Sequence, residues 1–110
     1  MKKLTINEQI FLVAIWHLKD EAYGIKIRER IIELTGSSMV FGTLYNTLDY
    51  LVKKRYIAAI KRDPKEDNQN RKRVYYKITK NGIEALQTAR ELQNNLWKNI
   101  PDFSLKEKTS

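Results

Sequence analysis

The sequence predicts a mainly α-helical fold with one small β-hairpin, an α+β class. Four segments have helical patterns: the first is apolar nearly all the way round, and in the other three apolar residues recur every three or four positions, the period of an amphipathic helix. Two short runs between the third and fourth segments, 57–61 and 74–78, have the residue types and length of strands. With 110 residues, 42% of them hydrophobic and 31% charged, the chain has the size and composition of one folded domain.

The first helix is predicted to begin at Thr5, because Thr5 and Glu8 form a capping-box pattern. From Ile10 to Leu18 the apolar residues fall nearly all the way round the helix. An ordinary surface helix has a single apolar face. The first helix is therefore predicted to bury two sides, one in the domain core and one against a second subunit, before residues 19–21 form a polar break.

The second helix is predicted to begin at Tyr23-Gly24, with Ile27, Ile31 and Leu34 on its buried face. It should end near Gly36, a residue suited to the left-handed position after a helix.

The third helix is predicted from about residue 39 to residue 54, with a buried stripe of Leu44, Leu48, Leu51 and Val52. Its opposite face is polar near the start and basic near the end, and consists of Met39, Gly42, Thr43, Asn46, Asp49, Tyr50 and Lys53.

Residues 57–61 and 74–78 are predicted to pair as a hairpin, with Val74, Tyr76 and Ile78 on one face. Of the adjacent Tyr75 and Tyr76, one should face the core and the other should be half exposed. The polar segment 63–70 between the strands is predicted to be an exposed, mobile loop.

Thr79 is a suitable N-cap for a last helix that runs to about Asn99 and stops before Pro101. Its predicted apolar stripe consists of Ile83, Leu86, Ala89, Leu92, Leu96 and Ile100, broadened by Trp97.

The charge of the chain is concentrated in one segment. Residues 53–80 hold eleven basic and three acidic side chains, which accounts for the whole net charge of +8. A basic field confined to one quarter of a small domain favours a polyanionic partner, above all nucleic acid, over a membrane surface or simple solubility.

The order of these elements predicts a winged helix-turn-helix. Helices two and three are joined by a short turn around Gly36-Ser37-Ser38, and the basic hairpin that follows would form the wing. Double-stranded DNA is then the predicted partner, because a helix of this kind fits the major groove. The candidate DNA-binding residues are Ser37, Ser38, Thr43, Tyr45, Asn46, Tyr50, Lys53, Lys54, Arg71, Lys72 and Arg73.

Three motifs resemble those of the PadR-like transcriptional regulators. The segment 41–54, FGTLYNTLDYLVKK, is similar to the family's recognition helix, Ala22-Tyr23-Gly24 to the start of its second helix, and 71–82, RKRVYYKITKNG, to its strand-to-helix segment. Arg55 stands where the family usually has a glycine, so a left-handed conformation there would cost about 1 kcal/mol. The resemblance implies winged-helix homodimers, often repressors, that release DNA in response to a small molecule or a stress signal.

The single short C-terminal helix is similar to the compact, LmrR-like branch of that family, in which the last helix packs across the dimer and paired tryptophans stack planar aromatic ligands. Here Trp97 lies one turn beyond the aligned position, which Gln93 occupies. The implied organisation is a DNA-binding domain over 1–78, a dimerisation helix over 79–101 and a flexible tail over 102–110. The candidate dimer or ligand residues are Phe11, Ile15, Trp16, Leu92, Leu96, Trp97 and Ile100.

Several classes of protein are disfavoured. The chain has no cysteine, one histidine (His17) and no phosphate-binding glycine loop, so we assign no catalytic residue, no metal site and no cofactor. The longest apolar run, residues 10–16, is far shorter than the roughly 20 residues of a membrane span, and we expect a cytoplasmic protein that does not bind a membrane. The alternatives that stay open are a winged-helix protein-interaction module and a non-specific DNA binder.

Overall fold

The computed structural model describes residues 3–62 and 73–104. Its elements are α1 (Ile6–Leu18), a single 3-10 turn (Lys19–Glu21), α2 (Gly24–Thr35), α3 (Phe41–Lys53), β1 (Ile57–Arg62), β2 (Arg73–Ile78) and α4 (Lys80–Trp97). The predicted α+β class, with helices two and three joined by a turn and followed by a hairpin, is confirmed. No helix in the described ranges is long and apolar enough to cross a membrane.

The helix ends follow local side-chain chemistry. Thr5 and Glu8 form the predicted capping box, with Oγ1 of Thr5 accepting from the Glu8 amide at 3.1 Å and Oε1 of Glu8 accepting from the Thr5 amide at 2.8 Å. Thr79 caps α4 in the same way, accepting from the Gly82 amide at 3.1 Å. Gly36 ends α2 at φ 74°, the left-handed conformation predicted for it.

The two central helices begin differently. The N-cap residues of α2 and α3 are Tyr23 and Val40, and no side-chain cap is present at either among the described residues. Helix α3 also starts at Phe41, two residues later than predicted, and α4 ends at Trp97, two residues earlier. The early end of α4 coincides with a left-handed Asn99, at φ 66°.

Helix α1 lies at the centre of the fold and packs against α2, α3, α4 and β2. The buried core contains Phe11, Leu12, Ala14, Ile15, Ala22, Ile27, Ile31, Leu44, Leu48, Leu51, Ile57 and Tyr76. Burying an aliphatic or phenyl side chain of this size contributes about 1.5–3 kcal/mol, so these side chains are the main source of stability. Leu34, predicted to face the core, is exposed at the end of α2.

The hairpin is antiparallel and runs from the pair Ile57 with Ile78 to the pair Arg62 with Arg73. It is tied to the start of α2 by a short additional pairing, in which the Tyr76 amide donates to the Ala22 carbonyl at 2.8 Å and Tyr23 pairs with Tyr75. The predicted loop 63–70 lies outside the described residues.

Candidate nucleic-acid interface

Helix α3 presents a polar outer face. Leu44, Leu48 and Leu51 are fully buried, as the periodicity predicts. The opposite side exposes Gly42, Thr43, Asn46, Asp49 and Lys53, in the predicted order from small and polar to basic. The prediction was wrong for Met39, which precedes α3, and for Tyr50, because both are partly buried against the core.

The turn before α3 is held by hydrogen bonds to side chains of α2. Ser37 and Ser38 are both exposed there, as the predicted contacts require. The Ser37 amide donates to Oγ1 of Thr35 at 3.1 Å. Nε of Arg28 donates to the Met39 carbonyl at 2.8 Å. Sequence reasoning missed Arg28, since nothing in the period of α2 distinguishes it from the other charged residues of that helix.

Tyr45 connects two of the sequence motifs. Its hydroxyl lies against the backbone of Gly24, where a β-carbon would overlap it. Its ring also stacks on Phe41, with the ring centres 6.4 Å apart. Gly24 therefore leaves room for α3 to approach the start of α2, and the Tyr-Gly pair and the Gly-Thr-Leu-Tyr segment form one packing unit. Tyr45 is still partly exposed beside the outer face of α3.

Gly42 differs from Gly24, because a β-carbon built on Gly42 would have no heavy atom within 4 Å. Packing within the described chain therefore does not require glycine at this position of α3. An incoming surface that approaches the helix closely would benefit from it.

Basic residues gather where α3 ends. Lys53 and Lys54 are exposed, and Nζ of Lys54 lies 5.6 Å from the centre of the Tyr50 ring. Arg55, which follows, has φ 64°, so the left-handed conformation considered from the sequence is present. The arginine side chain gives this exposed, strained position a positive charge.

The base of the wing contains two adjacent tyrosine rings, each covered by a guanidinium group. Arg62 lies 3.8 Å from the centre of the Tyr75 ring, and Arg73 lies 4.2 Å from the centre of the Tyr23 ring. The two rings meet edge to face at 5.3 Å. Arg62 also donates to the Asp20 carbonyl at 3.1 Å. This arrangement fixes two arginines whose backbone positions pair across the strands.

The prediction that one of the two adjacent tyrosines is half exposed is wrong. Tyr75 and Tyr76 are both buried, because Tyr75 is covered by Tyr23 and Arg62 on the face opposite the core. Arg62 and Tyr23 were not predicted as site residues, since their contact depends on pairing between distant segments. Arg71 and Lys72 lie outside the described residues, so only Arg73 of the predicted wing triplet can be placed.

Tyr76 of β2 lies near Asp49 and Tyr45 of α3. Burial raises the pKa of the Tyr76 phenol above its ordinary value of 10.0, and the nearby ionisable groups of Asp49 and Tyr45 add to that rise. The charge of Asp49 therefore acts on the junction between α3 and β2.

A second surface runs along α1 and α4. Leu92, Leu96, Trp97 and Ile100 are exposed, with 63% of Leu96 and 65% of Trp97 accessible. Trp16 is also exposed, with Nζ of Lys19 3.6 Å from its ring centre. The prediction that Phe11 and Ile15 lie on this surface was wrong. They are 0% and 2% exposed, because the side of α1 that carries them faces the core of its own chain.

Helix α4 packs on the domain through small residues. Gly82, Ala85 and Ala89 are the buried positions of α4, which leaves most of the large residues of the predicted stripe outside the core. Nε2 of Gln93 donates to Oε1 of Gln9 on α1 at 2.9 Å. Apolar grooves lie on both sides of this bond, one of about 470 Å³ over Ala85 and Ala89 and one of about 640 Å³ between Trp16 and Ile83.

Comparison with known proteins gives a consistent result. A family model described as the transcriptional regulator PadR-like family matches residues 14–88. Among solved structures, a PadR family transcription regulator from hypervirulent Clostridium difficile is 25% identical, with a TM-score of 0.62 over 84% of this chain and 88% of that one. None of the curated protein sequences matches significantly.

Two further structures share the fold. RosR of H. salinarum is 23% identical, with a TM-score of 0.71 over 98% of this chain and 90% of that one. A winged-helix DNA-binding protein from STIV is 17% identical, with a TM-score of 0.65 over 86% of this chain and 95% of that one.

Proposed function

The chain belongs to the PadR-like family of transcriptional regulators, and on that premise we propose that this DNA-binding regulator is a homodimeric repressor of an inverted-repeat operator. Residues 1–78 form the DNA-binding unit, 79–101 the dimerisation helix and 102–110 a tail. The observation that carries the proposal is the exposed polar face of α3 beside a wing base with two fixed arginines.

In this proposal α3 enters the major groove, with Thr43 and Asn46 at base edges. Asparagine can form a bidentate pair with adenine, and the threonine methyl group can contact thymine. The open space over Gly42 allows the helix backbone to approach the DNA. Tyr45 and Tyr50 flank the helix, and their partly exposed rings lie where hydroxyl contacts to phosphate are feasible.

The basic and turn residues position the protein on the duplex. Ser37 and Ser38 approach phosphates before α3, and Lys53 and Lys54 approach them after it. Arg71, Lys72 and Arg73 of the wing contact the backbone or the minor groove. Contacts of this kind make affinity fall with salt, at a log–log slope of about −0.9 for each phosphate neutralised.

The dimer is proposed to form through α1 and α4 of both copies. Leu96 and Trp97 are the most exposed large apolar residues of α4, and exposed patches of this kind mark interaction sites. A second copy supplies complementary side chains for the grooves beside the Gln9–Gln93 bond. Two-fold symmetry then sets the two half-sites about one helical turn of DNA apart.

Release by a small molecule is the last part of the proposal. Trp97 and the exposed Leu92, Leu96 and Ile100 provide apolar area for a planar aromatic effector at the dimer interface. Such a ligand shifts DNA affinity only through its differential affinity for the two spacings of the wings.

The first experiment is selection of bound duplexes from a random library of about 30 base pairs at ~150 mM salt, which suppresses purely electrostatic binding. We expect enrichment of an inverted repeat. Thr43→Ala with Asn46→Ala should abolish the preference, whereas Asn94→Ala, an exposed asparagine on α4, should keep it. Enrichment of no sequence would favour a non-specific DNA binder or a protein-interaction module.

The other parts need separate measurements. Leu96→Ser with Trp97→Ser should yield monomers in sedimentation analysis, whereas Ile60→Ser, an exposed apolar residue of the hairpin, should not.

Replacing Arg71 and Arg73 by alanine should flatten the salt slope, and an unchanged slope removes the wing from the proposal. In Trp16→Phe the remaining tryptophan is Trp97, and planar aromatic compounds should quench its fluorescence. In Trp97→Phe the remaining tryptophan is Trp16, and its fluorescence should not be quenched. A reporter under the selected repeat should be silenced; activation would contradict repression.

A further inference from the structure

The start of α3 lacks the usual stabilisation of a helix N-terminus. Its N-cap residue, Val40, has no side-chain oxygen, and no side-chain cap is formed there among the described residues. In α1 and α4, by contrast, Thr5 and Thr79 supply that hydrogen bond. Since an N-cap side chain normally stabilises the first turn of a helix, other contacts have to fix the direction in which the chain enters α3.

Arg28 of α2 supplies such contacts on both sides of the N-cap. Its Nε donates to the carbonyl of Met39, the residue before Val40, at 2.8 Å. Its guanidinium carbon lies 5.0 Å from the ring centre of Phe41, the residue after Val40. A hydrogen bond from a charged donor is stronger than one between neutral groups, and cation–π contact adds to it.

The contacts continue along one side of α3. Phe41 stacks on Tyr45 with an interplanar angle of 23°, and the Tyr45 hydroxyl packs on Gly24 of α2. Phe41 and Tyr45 are four residues apart and so share one side of the helix. Thr43 and Asn46 lie on other sides and stay exposed. The side of α3 held by α2 is thus distinct from the side assigned to the base edges.

We propose that Arg28 is a positioning residue for DNA recognition, which sets the angle of α3 in the major groove without contacting DNA itself. The proposal rests on the function proposed above, in which α3 contacts the bases. Small displacements of α3 misalign hydrogen bonds to base edges, whereas phosphate contacts are tolerant of them. Loss of Arg28 should therefore weaken specific binding more than non-specific binding.

The test compares variants on two duplexes, the selected inverted repeat and a scrambled sequence of the same composition. Arg28→Met and Arg28→Lys should each lower affinity for the repeat about tenfold, the effect of losing one charge-assisted hydrogen bond. Affinity for the scrambled duplex and the salt slope should stay at the wild-type values. The lysine variant keeps the charge but lacks the planar group that bonds Met39 while facing Phe41.

Arg30→Met is the matched control. It removes the same charge from the same helix, but Nε of Arg30 pairs with Glu33 of α2 at 2.9 Å rather than with the turn. Its affinity for both duplexes should stay near the wild-type value. A second variant, Arg28→Met with Val40→Ser, restores an oxygen at the N-cap and should recover part of the lost specificity, in comparison with Val40→Ser alone.

Three results would overturn the proposal. Wild-type binding by Arg28→Lys, or a flatter salt slope in Arg28→Met, would indicate direct contact between the charge and phosphate. An equal loss on both duplexes, with a lower unfolding temperature, would indicate a merely structural role. Failure of the proposed function gives a different result, because the wild-type protein would then bind both duplexes with the same affinity. The positioning role of Arg28 would be refuted together with that function.

Discussion

Replacing Arg55 by glycine should stabilise the protein. Arg55 has φ 64°, its amide donates to the Val52 carbonyl at 2.9 Å, and its carbonyl accepts from Oγ1 of Thr79 at 2.6 Å. Both bonds use backbone atoms of residue 55, so glycine preserves them. The left-handed conformation costs a residue with a β-carbon about 1–2 kcal/mol. Glycine loses about 0.4–1 kcal/mol through the greater freedom of the unfolded chain, which leaves a net gain of about 0.5–1 kcal/mol.

The assay is thermal unfolding at a fixed protein concentration, since the proposed dimerisation would make the unfolding temperature depend on concentration. For a domain of this size, that gain corresponds to a rise of about 2–8 °C. Arg55→Ala is the matched control, because it removes the same side chain but keeps the β-carbon, and its unfolding temperature should not rise. Equal changes in the two variants would refute the reasoning, because they would show that the side chain of Arg55, and not its backbone conformation, determines the effect.

Three further predictions concern other described positions. Gly24→Ala should destabilise the fold by about 1–3 kcal/mol through overpacking against Tyr45, and Tyr45→Leu in the same background should recover part of the loss in denaturant titration; an unchanged midpoint for Gly24→Ala would contradict the packing. Gly42→Ala should preserve or raise thermal stability, by up to about 1 kcal/mol, yet lower operator affinity in a binding titration. Undiminished affinity would show that the DNA does not approach this backbone. Because the pKa of Tyr76 is raised above 10.0 in the folded protein, its contribution to stability is complete below that pH and is lost as the pH rises further. Between pH 9 and pH 11 (about one unit on either side of the ordinary tyrosine value), Tyr76→Phe should therefore lose less unfolding free energy than the wild-type protein. An identical loss in the two proteins would contradict this prediction.

Features that depend on neighbouring residues could be predicted from the sequence. The caps at Thr5 and Thr79 and the end of α2 at Gly36 follow from the preferences of single side chains over one helical turn. The buried stripe Leu44, Leu48 and Leu51 follows from helical period in the same way. This stripe also defines the outer face of α3, which is the centre of the candidate site.

Features that depend on residues distant in the chain could not be predicted from the sequence. Because α1 is apolar nearly all round, periodicity does not indicate which of its sides faces the core. The prediction that Phe11 and Ile15 lie at the dimer or ligand surface is wrong for that reason, since both face the core. In α4 the large residues predicted the core face, but the small ones, Ala85 and Ala89, permit the close approach to the domain.

Contacts between distant segments are subject to the same limit. The ring contacts at the wing base require Tyr23 and Tyr75 to pair, although they are far apart in the chain. The bond from Arg28 to Met39 depends on the angle between α2 and α3, which neither helix specifies alone.

The uneven distribution of helix caps has a consequence for local opening of the backbone. The first-turn amides of α1 and α4 include one bonded to a threonine side chain, whereas those of α2 and α3 follow Tyr23 and Val40 and lack this protection among the described residues. Hydrogen exchange should therefore be faster at the starts of α2 and α3. Phosphate oxygens are good acceptors for such amides, so deuterium uptake there should slow when DNA is bound, while uptake at the starts of α1 and α4 should not change.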